Sequence, residues 1–101
     1  MEMEQRANAE ETGRLLACLS HPTRLLIVCL LLKREHFVQE LLAELGGTKG
    51  NLSQHLRVLS LKGLLRRRKQ GTRVYYGIQD PRLRHLVAHL KRLYCPGLKI
   101  G

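Results

Sequence analysis

Three cysteines, Cys18, Cys29 and Cys95, are the side chains of this 101-residue chain most able to do covalent chemistry. A thiolate is a nucleophile, a redox centre and a ligand for soft metal ions. Cys29 lies in the middle of RLLIVCLLL, residues 24–32, where a cysteine without a chemical role packs as a small hydrophobic side chain. We expect a cytoplasmic protein, and both that reducing compartment and the odd number of thiols argue against a fixed disulfide framework.

Two further pairs are candidates for chemistry. His85 and His89 are four residues apart, a spacing that puts both rings on one helical face and can hold Zn²⁺ when other ligands arrive. Neighbouring arginines disfavour a cation there, so we expect neither a metal nor another cofactor. Cys18 and His21 form the only pair that resembles a nucleophile and its base, and the chain has no glycine-rich phosphate loop. We therefore expect a protein that is not an enzyme.

The spacing of apolar residues predicts five helices that must position these side chains. They cover residues 7–19, Pro22–Arg34, Val38–Leu45, 49–60 and 81–95. Pro22 fits a first helical turn, Thr48 an N-cap, and the pair Gly46 and Gly47 a helix end. Between the fourth and fifth helices, LLRRRKQGTRVYYGI predicts a β-hairpin with its turn at KQGT.

The apolar stripes of these helices form the candidate core of one domain spanning residues 1–101, with 1–7 disordered and 96–101 as a tail. The stripe residues are Leu15, Leu16 and Leu19 on the first helix, Leu52, Leu56 and Leu59 on the fourth, and Leu83, Leu86, Val87, Leu90, Leu93 and Tyr94 on the last. By helical angle Cys95 lies off the last stripe, which predicts a partly exposed thiol.

The net charge of +10 is unevenly distributed. Residues 1–13 carry four glutamates and one arginine, whereas residues 45–79 carry eight Lys or Arg and no acid. That basic stretch predicts a polyanionic partner, with nucleic acid first and a membrane surface second. A membrane-binding helix needs a free apolar face, which a basic hairpin lacks. The chain has no apolar run of transmembrane length, and its acidic N-terminus is unlike a secretory signal.

Two short helices joined by a glycine turn and followed by a basic hairpin predict a winged helix-turn-helix, mainly α within the α+β class. Its second helix enters a DNA major groove, where Gln54 and Arg57 are the candidates for reading base edges. Asn51 and Ser53 support them, and Lys49 and His55 are expected to contact phosphates. The hairpin adds a set of basic residues of which strand alternation points only some at DNA: Arg66, Arg67, Arg68, Lys69 and Arg73. A basic RNA-binding or protein-binding module remains an alternative.

Three blocks, LSHPTRLLIVCLL, NLSQHLRVLSLKGLL and RRRKQGTRVYYGI, resemble the arsenic-repressor (ArsR/SmtB) family of bacterial transcriptional regulators. The resemblance runs from about residue 8 to residue 95. It implies a homodimeric repressor whose first and last helices form the dimer interface. It also implies binding to an imperfect inverted repeat of double-stranded DNA and release when an inducer arrives.

The metal sites of that family have no full counterpart in this sequence. The start of the third helix, REHFVQEL, lacks cysteine. On the last helix Asp80 is present, but the next three ligand positions fall on Arg82, Leu93 and Pro96. The resemblance therefore does not imply a metal as the inducer.

The placement of Cys29 and Cys95 resembles a subgroup that senses persulfides and oxidants through two cysteines, the SqrR/BigR type. This likeness implies that a disulfide, or a bridge with extra sulfurs, forms between Cys29 and Cys95. Lys91, Arg92 and Lys99 favour the thiolate of Cys95, although the helix dipole opposes it. We therefore expect Cys95 to attack first and Cys29 to resolve. The rival hypothesis is an arsenite- or metal-responsive repressor in which the dimer brings Cys18 close to Cys29 or Cys95, so that three thiolates bind a soft ion.

Overall fold

Five α-helices and three short β-strands make up residues 1–98, the part of the chain that the structure, a computed structural model, describes. In chain order they are α1 (Met3–Leu19), α2 (Pro22–Leu31), β1 (His36–Phe37), α3 (Val38–Leu45), α4 (Lys49–Leu61), β2 (Leu65–Gln70), β3 (Arg73–Ile78) and α5 (Pro81–Tyr94). The predicted order of helices and hairpin is confirmed. The short strand β1 was not predicted.

Two predicted helix boundaries are wrong by several residues, and the predicted ends of α4 and α5 differ from Leu61 and Tyr94 by one residue each. Residues 3–7, expected to be disordered, belong to α1, which has no helix breaker there and carries Glu4 in its first turn, where the helix dipole favours an acid. α2 ends at Leu31 rather than at Arg34. The chain turns there because His36 and Phe37 pair with β3, and the side chain of Arg84 on α5 donates to the carbonyl oxygen of Leu32.

The three strands form an antiparallel sheet in the order β1-β3-β2. β2 and β3 pair from Leu65 opposite Ile78 to Gln70 opposite Arg73, so their connection is a two-residue turn. Gly71 in that turn has a φ of 62°, a left-handed conformation that favours glycine. The hairpin thus projects beyond the helices as a wing whose basic residues follow the register of β2.

The core lies around α2. Ile27, Val28, Leu30 and Leu31 are at most 1% exposed, and side chains from α3, α4 and α5 pack around them. Removing each such side chain from water stabilises the fold by about 1.5–3 kcal/mol. The predicted stripe of α4 is confirmed, because Leu52, Leu56 and Leu59 are all buried.

The predicted stripes of α1 and α5 are only partly buried within one chain. Leu16 on α1 is 50% exposed, whereas Leu19 is buried. On α5, Leu83 and Val87 are buried, but Leu93 is 68% exposed and Tyr94 79%. Both helices therefore carry apolar side chains that this chain does not cover.

The turn between α3 and α4 sets the direction of α4. Gly46 and Gly47 have φ values of 73° and 79°, which end α3 sharply. Thr48 then caps α4 as predicted, because its hydroxyl oxygen accepts the backbone N–H of Asn51 at 3.2 Å. Together with the hairpin, this pair of helices makes the fold a winged helix-turn-helix.

No single helix within residues 1–98 is long and apolar enough to cross a membrane. α1 and α2 pass that test only when they are taken together, and they meet at a bend of 93°.

Candidate dithiol site and nucleic-acid interface

Cys29 and Cys95 line one hollow between α2 and the end of α5. Its volume is about 210 Å³, and its remaining lining is almost entirely apolar: Leu25, Leu26, Leu90, Lys91, Tyr94 and Leu98. Cys29 is buried at 4% exposure, and Cys95 is exposed. The structure therefore brings two thiols that are far apart in the sequence to one site, which we call the thiol seam. Cys29 lies inside it, and Cys95 lies at its solvent-exposed end.

The two thiols have different surroundings. Burial raises the pKa of the Cys29 thiol above its ordinary value; Lys91 lowers this pKa, and the neighbouring Cys95 raises it. Cys95 follows the last residue of α5, and its backbone N–H donates to the carbonyl oxygen of Lys91 at 2.9 Å. Its partial exposure was predicted and is confirmed. Lys99, the third cation expected near it, lies outside the described residues.

Cys18 does not join this pair within one chain. It is buried and lines a separate hollow of about 720 Å³ between α1 and the start of α5, together with Leu15, Leu83 and Leu86. Within residues 1–98 no group of three His, Cys, Asp or Glu side chains is placed to hold a metal ion. His85 and His89 are exposed on α5, and the guanidinium of Arg92 contacts Nδ1 of His89. Within one chain Cys18 and the pair Cys29 and Cys95 thus line different hollows, so the arsenite hypothesis needs a second copy to bring Cys18 close to either thiol.

α4 presents its polar side chains outward on the first three turns. The exposed ones are Lys49, Asn51, Ser53, Gln54 and Arg57, all of which were predicted to contact DNA. They stand on a helix that is fixed from behind by its buried leucines, so their positions are set by the core. Together these side chains form an exposed polar edge on a helix of the kind that enters a DNA groove.

His55 differs from its neighbours, and its predicted role as a phosphate contact is wrong. Its side chain is only 7% exposed, and Nδ1 accepts a hydrogen bond from Nε of Arg24 at 3.1 Å. Because Nδ1 accepts, the ring is neutral. Burial, followed by the charges of His21 and Arg24, holds the pKa of His55 below its usual 6.5. The residue is a structural link between α2 and α4 rather than a cation.

Arg24 was not identified from the sequence. It lies on α2, five residues before Cys29, and bonds both the ring of His55 and the carbonyl oxygen of Cys18 at 3.3 Å. The ring of His21, which caps α2, packs 4.4 Å from that of His55. No spacing in the sequence marks this cluster, because α1, α2 and α4 meet only through the tertiary fold.

On the wing, Glu35 binds two of the predicted basic residues. Nε and Nη2 of Arg68 donate to it at 3.2 and 2.9 Å, and Nε of Arg66 donates at 3.1 Å. These bonds, that of Arg68 first, hold the pKa of Glu35 below its ordinary value. Nη1 of Arg66 also donates to the carbonyl oxygen of Ile78 at 2.7 Å, and Nη1 of Arg68 donates to Gln70 at 2.6 Å. Both guanidinium groups are thus bound by Glu35, although their side chains stay 48% and 45% exposed.

Gly77 leaves room for the ion pair of Arg66 and Glu35, because it has no side chain. It lies opposite Arg66 in the sheet, and a Cβ built there would come within 3.0 Å of both Nη2 of Arg66 and Cγ of Glu35. Glu35 itself was missed in the sequence, because its partners follow 31 and 33 residues later.

The remaining basic residues of the wing are placed differently. The guanidinium of Arg73 stacks over the ring of Phe37 at 4.4 Å. Arg67 and Lys69 alternate with the paired arginines along β2 and are exposed. Within residues 1–98 neither makes a side-chain hydrogen bond or salt bridge, so they are the cations of β2 that can meet an external anion.

Comparison with known proteins places this geometry in a family. Residues 21–67 match the sequence profile described as "Bacterial regulatory protein, arsR family". The biofilm growth-associated repressor of Xylella fastidiosa is 37% identical over 94 residues, which cover 93% of this chain and 81% of that protein.

Two solved structures are similar in fold. The structure of reduced HlyU from Vibrio cholerae superposes with a TM-score of 0.88 at 34% identity, covering 93% of this chain and 99% of that one. The homodimeric winged helix-turn-helix DNA-binding domain of Mb0332 from Mycobacterium bovis, described as a possible ArsR-family regulator, gives a TM-score of 0.80 at 26% identity. It covers 98% of this chain and 92% of that one. These relatives are regulators and not enzymes, and this chain belongs to the arsR family of bacterial regulatory proteins.

Proposed function

We propose that the chain is a homodimeric DNA-binding repressor whose affinity for its operator is switched by reactive sulfur species or oxidants. The switch is a disulfide or polysulfide bridge between Cys29 and Cys95. The observation that carries this proposal is the hollow between α2 and α5 that a buried thiol and an exposed thiol both line. Neither half of this pair has another evident partner within residues 1–98.

DNA binding is supported by the polar edge of α4 and by the wing. We assign base reading to Gln54 and Arg57, with Asn51 and Ser53 beside them and Lys49 on a phosphate. We assign phosphate contacts on the wing to Arg67 and Lys69, because Glu35 holds Arg66 and Arg68. The operator is expected to be an imperfect inverted repeat whose half-sites match the two-fold symmetry of a dimer.

Dimer formation is supported by the uncovered side chains of α1 and α5. α1 has 17 residues, of which only Cys18 and Leu19 are buried. A helix that packs so little is marginal in water on its own, so it needs a surface from another chain. Leu93 and Tyr94 on α5 offer such a surface. The M. bovis relative, which is described as homodimeric, supports the same assignment.

The chemistry follows from the unequal environments of the thiols. The exposed Cys95 thiolate attacks the outer sulfur of a persulfide RSSH, which gives the Cys95 persulfide and RSH. The Cys29 thiolate then attacks Sγ of Cys95 and expels hydrosulfide, so that one donor oxidises both thiols and the two thiol protons leave with RSH and H₂S. With peroxide, Cys95 forms a sulfenic acid and Cys29 displaces water from it. Burial raises the pKa of Cys29, which makes it the poorer first nucleophile, whereas Lys91 lowers this pKa and so favours the thiolate that the second step uses.

The bridge reaches the DNA-reading edge through α2. A crosslink pulls the end of α5 against α2, and Arg24 on the first turns of α2 holds His55 of α4. If α5 and α1 form the dimer interface, the same crosslink changes the position of α4 relative to its copy. Two half-sites one helical turn apart, about 34 Å, then no longer match both reading helices.

The test measures DNA affinity in parallel for reduced and polysulfide-treated protein. The operator is selected from genomic fragments by the reduced wild type, and a scrambled duplex serves as the sequence control. We expect treatment to weaken operator binding by about tenfold or more in the wild type and in Cys18→Ser, and to leave Cys29→Ala and Cys95→Ser unchanged. Equal affinity of treated and reduced wild type contradicts the switch.

Two further arms separate the alternatives. An arsenite response that disappears in Cys18→Ser supports the arsenite-responsive repressor instead. Equal binding of the operator and the scrambled duplex points to a basic module that does not read sequence.

A further inference from the structure

Cys95 lines two hollows, and only one of them is also lined by Arg92. On one side is the apolar hollow that contains Cys29. On the other is a groove of about 320 Å³, a volume at the lower end for small-molecule sites, lined by Leu32, Ala88, Lys91, Arg92, Cys95 and Pro96. Lys91 and Cys95 line both. Because Cys95 is exposed, a reagent can reach it from solvent along the second hollow, which we call the cationic groove.

The charges along this groove have one sign. From Pro81 to Leu98 the chain contains four Lys or Arg residues and no Asp or Glu. Asp80, the acid at the start of α5, accepts two hydrogen bonds from the guanidinium of Arg82, at 3.1 and 2.8 Å. The guanidinium of Arg84 donates to the carbonyl oxygen of Leu32, a residue of the groove wall. Arg92 is itself positioned by its contact with His89.

The groove lies on the flank of α5 that a second copy need not cover. Ala88, Lys91 and Cys95 recur at helical spacing on the side that faces the end of α2. Leu86 lies on the opposite side and lines the hollow towards α1. A partner chain seated on the Leu86 side of α5 therefore leaves the groove open to solvent.

We propose that the cationic groove is a docking site for a small anionic sulfane-sulfur donor. This inference rests on the proposed function and adds the charge class of the inducer. Lys91 and Arg92 bind a carboxylate of the donor, which places its sulfane sulfur against Cys95. For a carboxylate-bearing trisulfide RSSSR, Cys95 attacks the central sulfur and releases RS⁻. Cys29 then attacks that same sulfur from the apolar hollow and releases a second RS⁻, which leaves a trisulfide bridge.

The test compares two donors of opposite charge. Glutathione trisulfide carries net negative charge and bis(2-aminoethyl) trisulfide net positive charge, and their rates of reaction with Cys95 are followed by mass spectrometry in the Cys18→Ser protein. The measured quantity is the rate with glutathione trisulfide divided by the rate with bis(2-aminoethyl) trisulfide. We expect Arg92→Gln to lower this ratio on the order of tenfold, and added salt to lower it in the Cys18→Ser protein that retains Arg92.

Arg82→Gln is the matched control, because it removes the same charge about 15 Å away along α5 and is expected to leave the ratio unchanged. A second measurement uses Cys95 as the sole thiol, in Cys18→Ser/Cys29→Ala, with iodoacetate and iodoacetamide as an anionic and a neutral reagent of similar size. The iodoacetate preference is expected to fall in Arg92→Gln as well.

The two experiments separate the two proposals. If neither trisulfide crosslinks the protein but the sole Cys95 still favours iodoacetate through Arg92, the redox switch is wrong and the anion-binding groove stands. If both trisulfides form the bridge and neither rate ratio responds to Arg92→Gln, the switch stands and the groove is overturned.

Discussion

Two regions of the molecule are built in different ways. One is the DNA-reading edge, the exposed polar and basic side chains of α4 and β2, and the other is the thiol seam at Cys29 and Cys95. The edge consists of exposed side chains that follow one another along α4 and β2, on a backbone fixed by buried leucines. The seam joins Cys29 on α2 to Cys95 at the end of α5, with one thiol inside the fold and the other outside. Side chains of the edge can therefore be removed without loss of packing, whereas Cys29, one of the two thiols of the seam, is part of the core.

The two regions meet through one hydrogen-bonded cluster. Arg24 lies on the same helix as Cys29 and bonds His55 on the buried side of α4. Mutations can therefore test whether the edge sets the affinity for DNA and whether the seam sets the response to oxidation. They can also test whether the cluster that links the two regions contributes to the stability of the fold.

The largest expected effect lies at the edge. Gln54→Ala and Arg57→Ala each remove a base-reading candidate, and each is expected to cost about 1–3 kcal/mol of operator binding. The free energy of unfolding is expected to stay within about 0.5 kcal/mol of the wild type, because both side chains are exposed. Fluorescence anisotropy and urea unfolding measure the two quantities. Loss of stability equal to the loss of binding would remove the contrast between edge and seam.

The next effect separates the two halves of the seam. Cys29→Ser places a hydroxyl among apolar side chains and is expected to lower the free energy of unfolding by about 1–3 kcal/mol. Cys95→Ser is expected to change it by less than about 0.5 kcal/mol, since that thiol is exposed. Urea unfolding of the reduced proteins tests this difference. Equal destabilisation by both substitutions would mean that Cys95 is packed as tightly as Cys29.

A smaller effect separates the two sets of cations on β2. Arg67→Ala/Lys69→Ala is expected to reduce the salt dependence of DNA binding by about 2 in log–log slope, on operator and scrambled DNA alike. Arg66→Gln/Arg68→Gln removes the same formal charge but is expected to reduce the slope less, because Glu35 already binds both side chains. Equal slopes for the two double variants would show that Glu35 does not withhold these arginines from DNA.

The smallest expected effect is a pH dependence at the link between the regions. Burial, His21 and Arg24 hold the pKa of His55 below 6.5 in the folded protein. The unfolded chain therefore takes up a proton there at higher pH than the folded chain does. The free energy of unfolding should fall as pH drops below about 6.5, and this contribution should stop growing once pH passes the lower folded pKa.

His55→Gln isolates that contribution. Groups elsewhere titrate in both proteins, so the difference between wild-type and variant urea unfolding curves across pH belongs to His55 and its contacts. The variant is expected to lose stability less steeply with acid than the wild type. A steeper loss in the variant would mean that protonated His55 is favoured in the folded state.

The parts of the molecule that follow from local sequence were predictable. The leucine stripe of α4, the cap at Thr48 and the hairpin depend on residues close together in the chain, and the structure confirms each. The exposure of Cys95 also followed from its helical angle.

The parts that depend on distant residues were not predictable. β1 is two residues long and has no periodicity, and Glu35 meets its arginines only because β2 and β3 bring them beside it. Arg24 and His55 lie on different helices, so a residue that looked like a surface cation is buried and neutral. The spacing of Leu93 and Tyr94 predicts an apolar stripe on α5, but it does not predict which surface covers that stripe. Both side chains are exposed within this chain.

The most direct test of the dithiol switch is the mass of the protein after treatment with a small excess of polysulfide, followed by peptide mapping. We predict a single chain lighter by two hydrogens, or that mass with one or two added sulfurs, and a bridge that joins the Cys29 peptide to the Cys95 peptide. Cys18 should remain free, and Cys95→Ser should form no bridge. Separate capping of all three thiols without a bridge would contradict the switch and leave Cys29 as a packing residue of the core.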